Sequence, residues 1–225
     1  MILNIFGSTG IIGKTALSII ENRFPKYKIN LLCAKNNVKL LAQQCNKFNV
    51  KYVYLDNPKK ISQLKSYLSK DIQILNYSGL EEYLNKNQSD LSILSVSGYE
   101  SLRYLKPILI NTNNIGIVSK EAIVSAGHII KRISKKYKTK VFPLDSEHFS
   151  IFQNFETLNL KNKKIEKIYL TASGGPFLSR KFNSLKNVSF NQAINHPKWK
   201  MGYKNSIDSA TLVNKWLELS EAHYL

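Results

Sequence analysis

The sequence predicts an α/β protein: a doubly wound parallel sheet followed by a smaller, partial α+β domain. Three observations carry that expectation. Short apolar runs closed by glycine or polar residues alternate with helical stretches over the first 137 residues, the pattern of right-handed βαβ units. Runs such as LSILSV and NIGIV are too uniformly apolar for a sheet wet on one face, so helices should cover both. The alternation then changes near residue 138, where a long irregular stretch precedes a final helix.

The elements follow in order. ILNIF (2–6) is short, apolar and closed by glycine, as a buried parallel strand should be, and a helix follows over 11–22. Strands are expected near 28–33, 51–55, 72–75, 91–96 and 115–118, with helices near 38–47, 58–69 and 100–110. A strand at 139–143 leads into a helix, and KIEKIYLTAS (164–173) reads as another strand. The segment GGPFLSRKFNSLKNVSFNQAINHPKWKMGYKNSI lacks sustained periodicity; loops of such length in a compact domain are usually functional or disordered. The last helix starts near Asp208. A domain boundary within 127–140 divides the chain into 1–137 and 138–225.

Composition narrows the function classes. At 225 residues the chain can bury a real core in one large or two small domains. Lys and Arg number 33 against 15 Asp and Glu, a formal charge of +18, which raises the question of polyanion binding. The lysines are scattered among Asn and Ile rather than gathered on one helix face, so a solvated basic surface is expected, without nucleic acid. Cys33 and Cys45 are the only cysteines and fit a reducing compartment better than a disulfide scaffold. No apolar run reaches the roughly 18 residues of a membrane span. The start of the chain carries no basic segment before its apolar stretch. A cytoplasmic protein with no membrane partner is the expectation.

Two places carry chemistry. Gly7-Ser8-Thr9-Gly10-Ile11-Ile12-Gly13 falls between the first strand and the first helix. Glycines there permit a tight turn and let backbone amides approach a pyrophosphate at the positive end of the helix. The spacing G-x-x-G-x-x-G is a variant of the dinucleotide fingerprint, and its place in a βαβ chain gives it weight. At the end of the second strand stand Ala34-Lys35-Asn36-Asn37, with no carboxylate for ribose hydroxyls. Lysine and asparagine suit a ribose phosphate, which favours NADPH over NADH.

The second place is PLDSEHFSIFQ (143–153). Asp145 and Glu147 lie two apart, and in extended backbone they would point to the same side. Glu218 on the last helix offers a third oxygen, sharing a polar arc with Thr211, Asn214 and Lys215; an ordinary amphipathic helix with a Lys215–Glu218 pair would look the same. All-oxygen donors favour Mg²⁺ or Mn²⁺ over zinc. His148 reads as structural, and His196, in the irregular segment, as the better candidate to touch a substrate.

GSTGIIG, VSKEAIVSAG, PLDSEHFSIFQ, LTASGGPF and HPKWKMGYKNSIDSATLVNKWLELSEA occur in this order. Together they resemble the 1-deoxy-D-xylulose-5-phosphate reductoisomerase family, over essentially the whole chain. The resemblance implies a Rossmann-like NADPH-binding domain over 1–137, and over 138–225 the N-terminal part of a catalytic, metal-binding domain. It implies metal-assisted skeletal rearrangement of the sugar phosphate, then NADPH reduction to 2-C-methyl-D-erythritol 4-phosphate, a step of non-mevalonate isoprenoid precursor biosynthesis.

By that resemblance Asp145, Glu147 and Glu218 hold Mg²⁺, Mn²⁺ or Co²⁺. Ser146, Glu147, Ser173, His196, Ser209, Asn214, Lys215 and Glu218 line the substrate pocket with Lys120, and Lys120, Glu147 and His196 form the catalytic set. Thr9, Gly10, Ile11, Ile12, Ala34, Lys35, Asn36, Ser119 and Gly202 hold NADPH. Residues 174–202 correspond to a lid, with Trp199 and Met201 covering substrate. Intact relatives are expected to be homodimers.

Departures from the family pattern are Ile11 for a usual serine, Ser119 for asparagine, Trp216 for glycine and Tyr203 at a commonly basic place. Trp216 would need a compensating space. Relatives are also expected to continue past Glu221-Ala222-His223-Tyr224-Leu225, which makes this a C-terminally shortened member. The alternative is a catalytically impaired NADPH-binding remnant of the same enzyme; a generic NADPH dehydrogenase would not need the three acids.

Overall fold

A computed structural model of the chain describes residues 1–158, 165–199 and 201–225. They form two compact units, Met1–Asp145 and Ser146–Leu225.

The first unit is a seven-stranded sheet in the order β4-β3-β2-β1-β5-β6-β7, with every pairing parallel. Its strands are β1 (Ile2–Phe6), β2 (Lys28–Ala34), β3 (Tyr52–Leu55), β4 (Gln73–Leu75), β5 (Ser89–Leu94), β6 (Thr112–Ile117) and β7 (Lys140–Pro143). Helices α1 (Ile11–Arg23), α2 (Val38–Lys47), α3 (Ile61–Tyr67), α4 (Tyr77–Lys86), α5 (Leu102–Ile110) and α6 (Lys120–Tyr137) alternate with them. The expected doubly wound parallel sheet is therefore present. The strand at Lys140–Pro143, placed with the second domain from sequence, pairs with β6 and ends this sheet. Its Pro143 sits at an edge, where a missing amide costs no ladder bond.

Central strands are apolar on both faces because helices cover both. Ile5, Leu31, Leu32 and Val53 are wholly buried, as are Leu41, Cys45 and Leu64 from the helices packed against them. Each such aliphatic side chain contributes about 1.5–3 kcal/mol of burial, so the strand runs legible in sequence are also the main source of cohesion.

Helices α4 and α6 are not among the sequence expectations, although the signals of α4 are ordinary. The Asn76 side chain accepts from the Gly79 amide at 2.7 Å, a cap, and Leu80, Tyr83 and Leu84 form its buried stripe. The expected helix at 58–69 begins as a 3₁₀ turn, Pro58–Lys60, before α3.

The second unit contains α7 (Ser146–Thr157), a 3₁₀ segment (Phe182–Asn187), α8 (Phe190–Ile194), α9 (Tyr203–Ala210) and α10 (Val213–Ala222). Three sequence expectations need correction. First, Ser146 already begins a helix, so Asp145 and Glu147 are not neighbours on an extended strand. Second, residues 165–173 form no strand, while Lys164 lies outside the described residues. Ile168 and Tyr169 are exposed, and an apolar run without a hydrogen-bonded neighbour among the described residues has no ladder to join. Third, the final helix is broken. Leu212 takes a left-handed conformation, φ 61°, and the Thr211 hydroxyl bonds back to the carbonyls of Ile207 and Asp208. Thr211 therefore belongs to the end of α9, and the arc on α10 is left to Asn214, Lys215 and Glu218.

No helix among the described residues is long and apolar enough to cross a membrane.

Candidate active site

In the first unit the chain order reverses between β1 and β5, the place where open α/β sheets bind ligands beyond their strand ends. A cavity of about 270 Å³ lies there, lined by Gly7, Thr9 and Gly10 after β1, by Ala34 and Lys35 at the end of β2, and by Ser95 after β5. The amides of Gly7 and Ser8 both donate to the Cys33 carbonyl at 2.9 Å, tying the glycine turn to β2. Gly10 caps α1 with no side-chain bond, and the first turn carries no acid. Its leading amides are therefore available to an anion.

Gly13 is there for space: a Cβ would lie 2.3 Å from the Gly7 carbonyl oxygen and 2.6 Å from Ser8 Cα. Only glycine lets α1 lie this close under the turn. Ile11 and Ile12 project outward, 47% and 41% exposed, so an isoleucine in place of serine leaves the backbone cradle intact.

The side of the cavity at β2 holds what the sequence analysis missed. No carboxylate follows β2 itself, but Asp56 after β3 and Glu100 after β5 both line the cavity. Glu100 lies 3.5 Å from Lys35 Nζ. Arg103 Nη1 bonds Asp56 at 2.9 Å, and the Tyr54 hydroxyl donates to the same carboxylate at 2.9 Å. Strands far apart in sequence deliver these acids, so only the spatial order of the sheet could expose them. Asn36 accepts from Asn57 Nδ2 at 2.8 Å, and its carbonyl accepts from Lys60 Nζ at 3.2 Å.

Ser119 is buried and caps α6, accepting from the Ala122 amide at 3.3 Å. A serine in place of asparagine keeps the cap. Lys120, the next residue, forms an ion pair with the Asp145 carboxylate, and both are largely buried. A larger open hollow of about 670 Å³ along edge strand β4 is lined by Ile61, Lys65 and Leu68 among others, and by none of the expected site residues.

In the second unit Lys215 is the hinge of the polar cluster. Its ammonium donates to Glu147 Oε1 and to Glu218 Oε2, each at 2.6 Å. Asn214 Nδ2 donates to the other oxygen of Glu218 at 2.5 Å, and Ser146 Oγ to Glu147 Oε2 at 2.6 Å. Burial opposes the Lys215 charge, but the hydrogen bonds to Glu147 and Glu218 outweigh it and hold the ammonium above its ordinary range. Glu218 has no solvent exposure. Two carboxylates from helices α7 and α10 thus converge on one cation. The break at Leu212 makes this possible, because α10 restarts with Asn214, Lys215 and Glu218 on one face.

His148 is buried and links the same helices, with Nε2 2.9 Å from the Glu218 carbonyl and Nδ1 3.4 Å from the Glu221 carboxylate. His196 is also buried. Its Nδ1 accepts from the amides of Lys198 at 3.2 Å and Trp199 at 3.0 Å, which places the ring proton on Nε2. That nitrogen then donates to Ser173 Oγ at 2.8 Å. Burial, and after it the charge of Lys198, hold the imidazole below the ordinary histidine range.

Gly175 has φ +66°, and a Cβ there would lie 2.6 Å from the Ser209 carbonyl; the Gly174-Gly175 turn therefore rests on the end of α9 beside Ser209. Gly202 caps α9. Trp199 is 63% exposed, Met201 is half-buried, and Lys200 lies outside the described residues of the 174–202 segment. Trp216 is 62% exposed, so its bulk points to solvent and needs no internal space.

Residues 3–127 match the family described as 1-deoxy-D-xylulose 5-phosphate reductoisomerase, and residues 141–225 match that family's C-terminal domain. The proteins of that name from Wolbachia pipientis subsp. Culex pipiens and Thermoanaerobacter pseudethanolicus are 39% and 40% identical to this chain. The alignments cover 99% and 98% of it and 57% of each relative, so the chain spans a little over half the length of the curated relatives it matches. A crystal structure of DOX-P reductoisomerase in complex with NADPH, fosmidomycin and magnesium aligns with all of the chain and 58% of its own, with a TM-score of 0.90 at 32% identity. The Zymomonas mobilis enzyme in complex with NADPH aligns with a TM-score of 0.86 at 31% identity, over 99% of this chain and 57% of that one. Matched by family description over both units and by relatives along its whole length, this chain belongs to the 1-deoxy-D-xylulose 5-phosphate reductoisomerase family.

Proposed function

We propose that this chain supplies the NADPH-binding and metal-binding parts of a 1-deoxy-D-xylulose-5-phosphate reductoisomerase. The observation that carries the reading is the convergence of Glu147 and Glu218, distant in sequence, on the single ammonium of Lys215. A pyridine nucleotide fits the first unit: the absence of a Cβ at Gly13 lets α1 lie close under the glycine turn, and the leading amides of α1, with no side-chain cap and no acid beside them, suit a pyrophosphate. A divalent metal fits the acids. Their donors are all hard oxygens, suited to Mg²⁺ or Mn²⁺, and Lys215 already holds positive charge between two of them. Asp145, two residues before Glu147 in the chain, is assigned to the same divalent metal.

Each residue then has a task. Thr9, Gly10, Ile11 and Ile12 present backbone to the pyrophosphate, and Ala34, Lys35 and Asn36 bound the adenosine ribose; Ser119 and Gly202 complete the cofactor contacts. Asp145, Glu147 and Glu218 bind the metal, which when bound would stabilise negative charge on the substrate's ketone and hydroxyl oxygens. Lys120 and Lys215 supply compact positive charge to an anionic substrate. Ser146, Ser173, Ser209 and Asn214 supply hydrogen bonds. His196 is held neutral with its proton on Nε2, so it serves as a donor rather than as a cation. Residues 174–202, carrying Trp199 and Met201, exclude water when closed. The product would be 2-C-methyl-D-erythritol 4-phosphate, formed by rearrangement and hydride transfer. A homodimer and a cytoplasmic location complete the proposal; two buried free thiols accord with the latter.

The test is NADPH oxidation with 1-deoxy-D-xylulose 5-phosphate and Mn²⁺ or Mg²⁺, run beside Glu147→Gln. Metal-dependent turnover that falls at least about 100-fold in the variant supports the proposal. NADPH binding without any turnover would favour the impaired remnant instead.

A further inference from the structure

We infer that Glu100 weakens the preference of the nucleotide site for NADPH by competing with a ribose phosphate for Lys35 and Arg103. The inference rests on the NADPH-binding reading above and deepens it.

Charges at the β2 side of the cavity alternate. Lys35 Nζ lies 3.5 Å from Glu100 Oε1, Glu100 Oε2 lies 3.8 Å from Arg103 Nη1, and Arg103 Nη1 lies 2.9 Å from Asp56. Two cations and two anions are therefore arranged in sequence, and Lys35, Glu100 and Asp56 line the cavity itself. Arg103 cannot swing freely. Its guanidinium lies over the ring of Tyr77 at 4.9 Å and that of Tyr104 at 5.7 Å, while Tyr54 holds its partner Asp56. Of the two acids, Asp56 is thus fully engaged on Arg103, whereas Glu100 spans both cations at longer range.

The turn that carries Glu100 is pinned as well. The Gly98 carbonyl accepts from Ser101 Oγ at 2.6 Å, and Ser119 Oγ lies 3.1 Å from it. The backbone that carries Glu100 is thereby held, with the carboxylate 3.5 Å from Lys35 Nζ.

The two cofactors differ there by one group. A 2′-hydroxyl can donate to Glu100, as it does to the acid that usually follows the second strand of NAD sites. A 2′-phosphate carries about two negative charges and can use Lys35 and Arg103, but only against the carboxylate that already holds them. Glu100 therefore favours the hydroxyl and opposes the phosphate. Absence of an acid after β2 points to NADPH; the acid arriving from β5 moderates that preference.

The experiment compares NADPH and NADH dissociation constants, by cofactor fluorescence titration, for the full chain and Glu100→Gln. An exposed charge pair is worth a few-fold in affinity, and a doubly charged phosphate somewhat more. The expected result is roughly three- to tenfold tighter NADPH binding in the variant, with NADH unchanged or weaker. The gain should shrink when the salt concentration rises. Parallel changes for both cofactors, or none, would overturn the inference, the former showing that Glu100 only shapes the turn. Wild-type protein that binds neither cofactor refutes the cradle itself and the inference with it. Wild-type binding with an unaltered ratio in Glu100→Gln refutes the inference alone. Glu100→Asp, which retains the charge, should keep the wild-type ratio within about twofold.

Discussion

Gly13→Ala tests the nucleotide cradle through a change of sign. On an exposed helix, replacing glycine by alanine stabilises by about 1 kcal/mol. In α1 the new methyl carbon would lie 2.3 Å from the Gly7 carbonyl oxygen, 2.6 Å from Ser8 Cα and 2.8 Å from Ser8 C. Carbon contacts are comfortable at about 3.5–4.0 Å, so the turn and helix must part by roughly 1 Å. All three obstacles are backbone, and no rotamer change relieves them. Overpacking costs about 1–3 kcal/mol, and an overlap with rigid backbone belongs at the upper end. Subtracting the propensity gain leaves a net loss of about 2 kcal/mol, or roughly 4–8 °C in melting temperature for a unit of this size. Because the displaced atoms are the cradle, NADPH affinity should fall by about tenfold or more. Circular dichroism melts and a fluorescence titration of the same preparation read both quantities. A variant that melts at or above the wild type and binds NADPH equally would refute the close approach described here.

The remaining expectations concern the second unit. The folded pKa of His196 is lowered, so its contribution is fully present above the unfolded value of about 6.5 and is lost as pH falls through the folded one. The urea midpoint should decline below that pH, and His196→Gln should flatten the decline; an equally steep profile in the variant counts against a buried, neutral His196 as its source. Trp216→Ala removes an exposed side chain and should alter stability by no more than about 0.5 kcal/mol; a loss of 2 kcal/mol by urea titration would mean that the ring is buried in solution.

Much of the first unit was legible because its signals are local. ILNIF, LSILSV and NIGIV are short apolar runs that only a sheet covered on both faces can bury, and GSTGIIG marks the strand–helix junction by its glycines. Helix α4 is as legible, with Asn76 as cap and Leu80, Tyr83 and Leu84 as stripe. KIEKIYLTAS shows the limit of such signals: its strand pattern is clear, but a strand requires a neighbour to receive its backbone bonds.

The sequence by itself determined the residue types: glycines where amides must approach an anion, hard oxygens without cysteine, and a lysine instead of an acid after β2. Tertiary structure decided how they are deployed. Whether Glu218 meets Glu147 depends on a left-handed Leu212 that ends one helix and restarts another. Whether Lys35 stands alone depends on a sheet order that brings Glu100 from β5 to the end of β2. Both are contacts between distant segments, and they are set by packing that no local stretch of residues encodes.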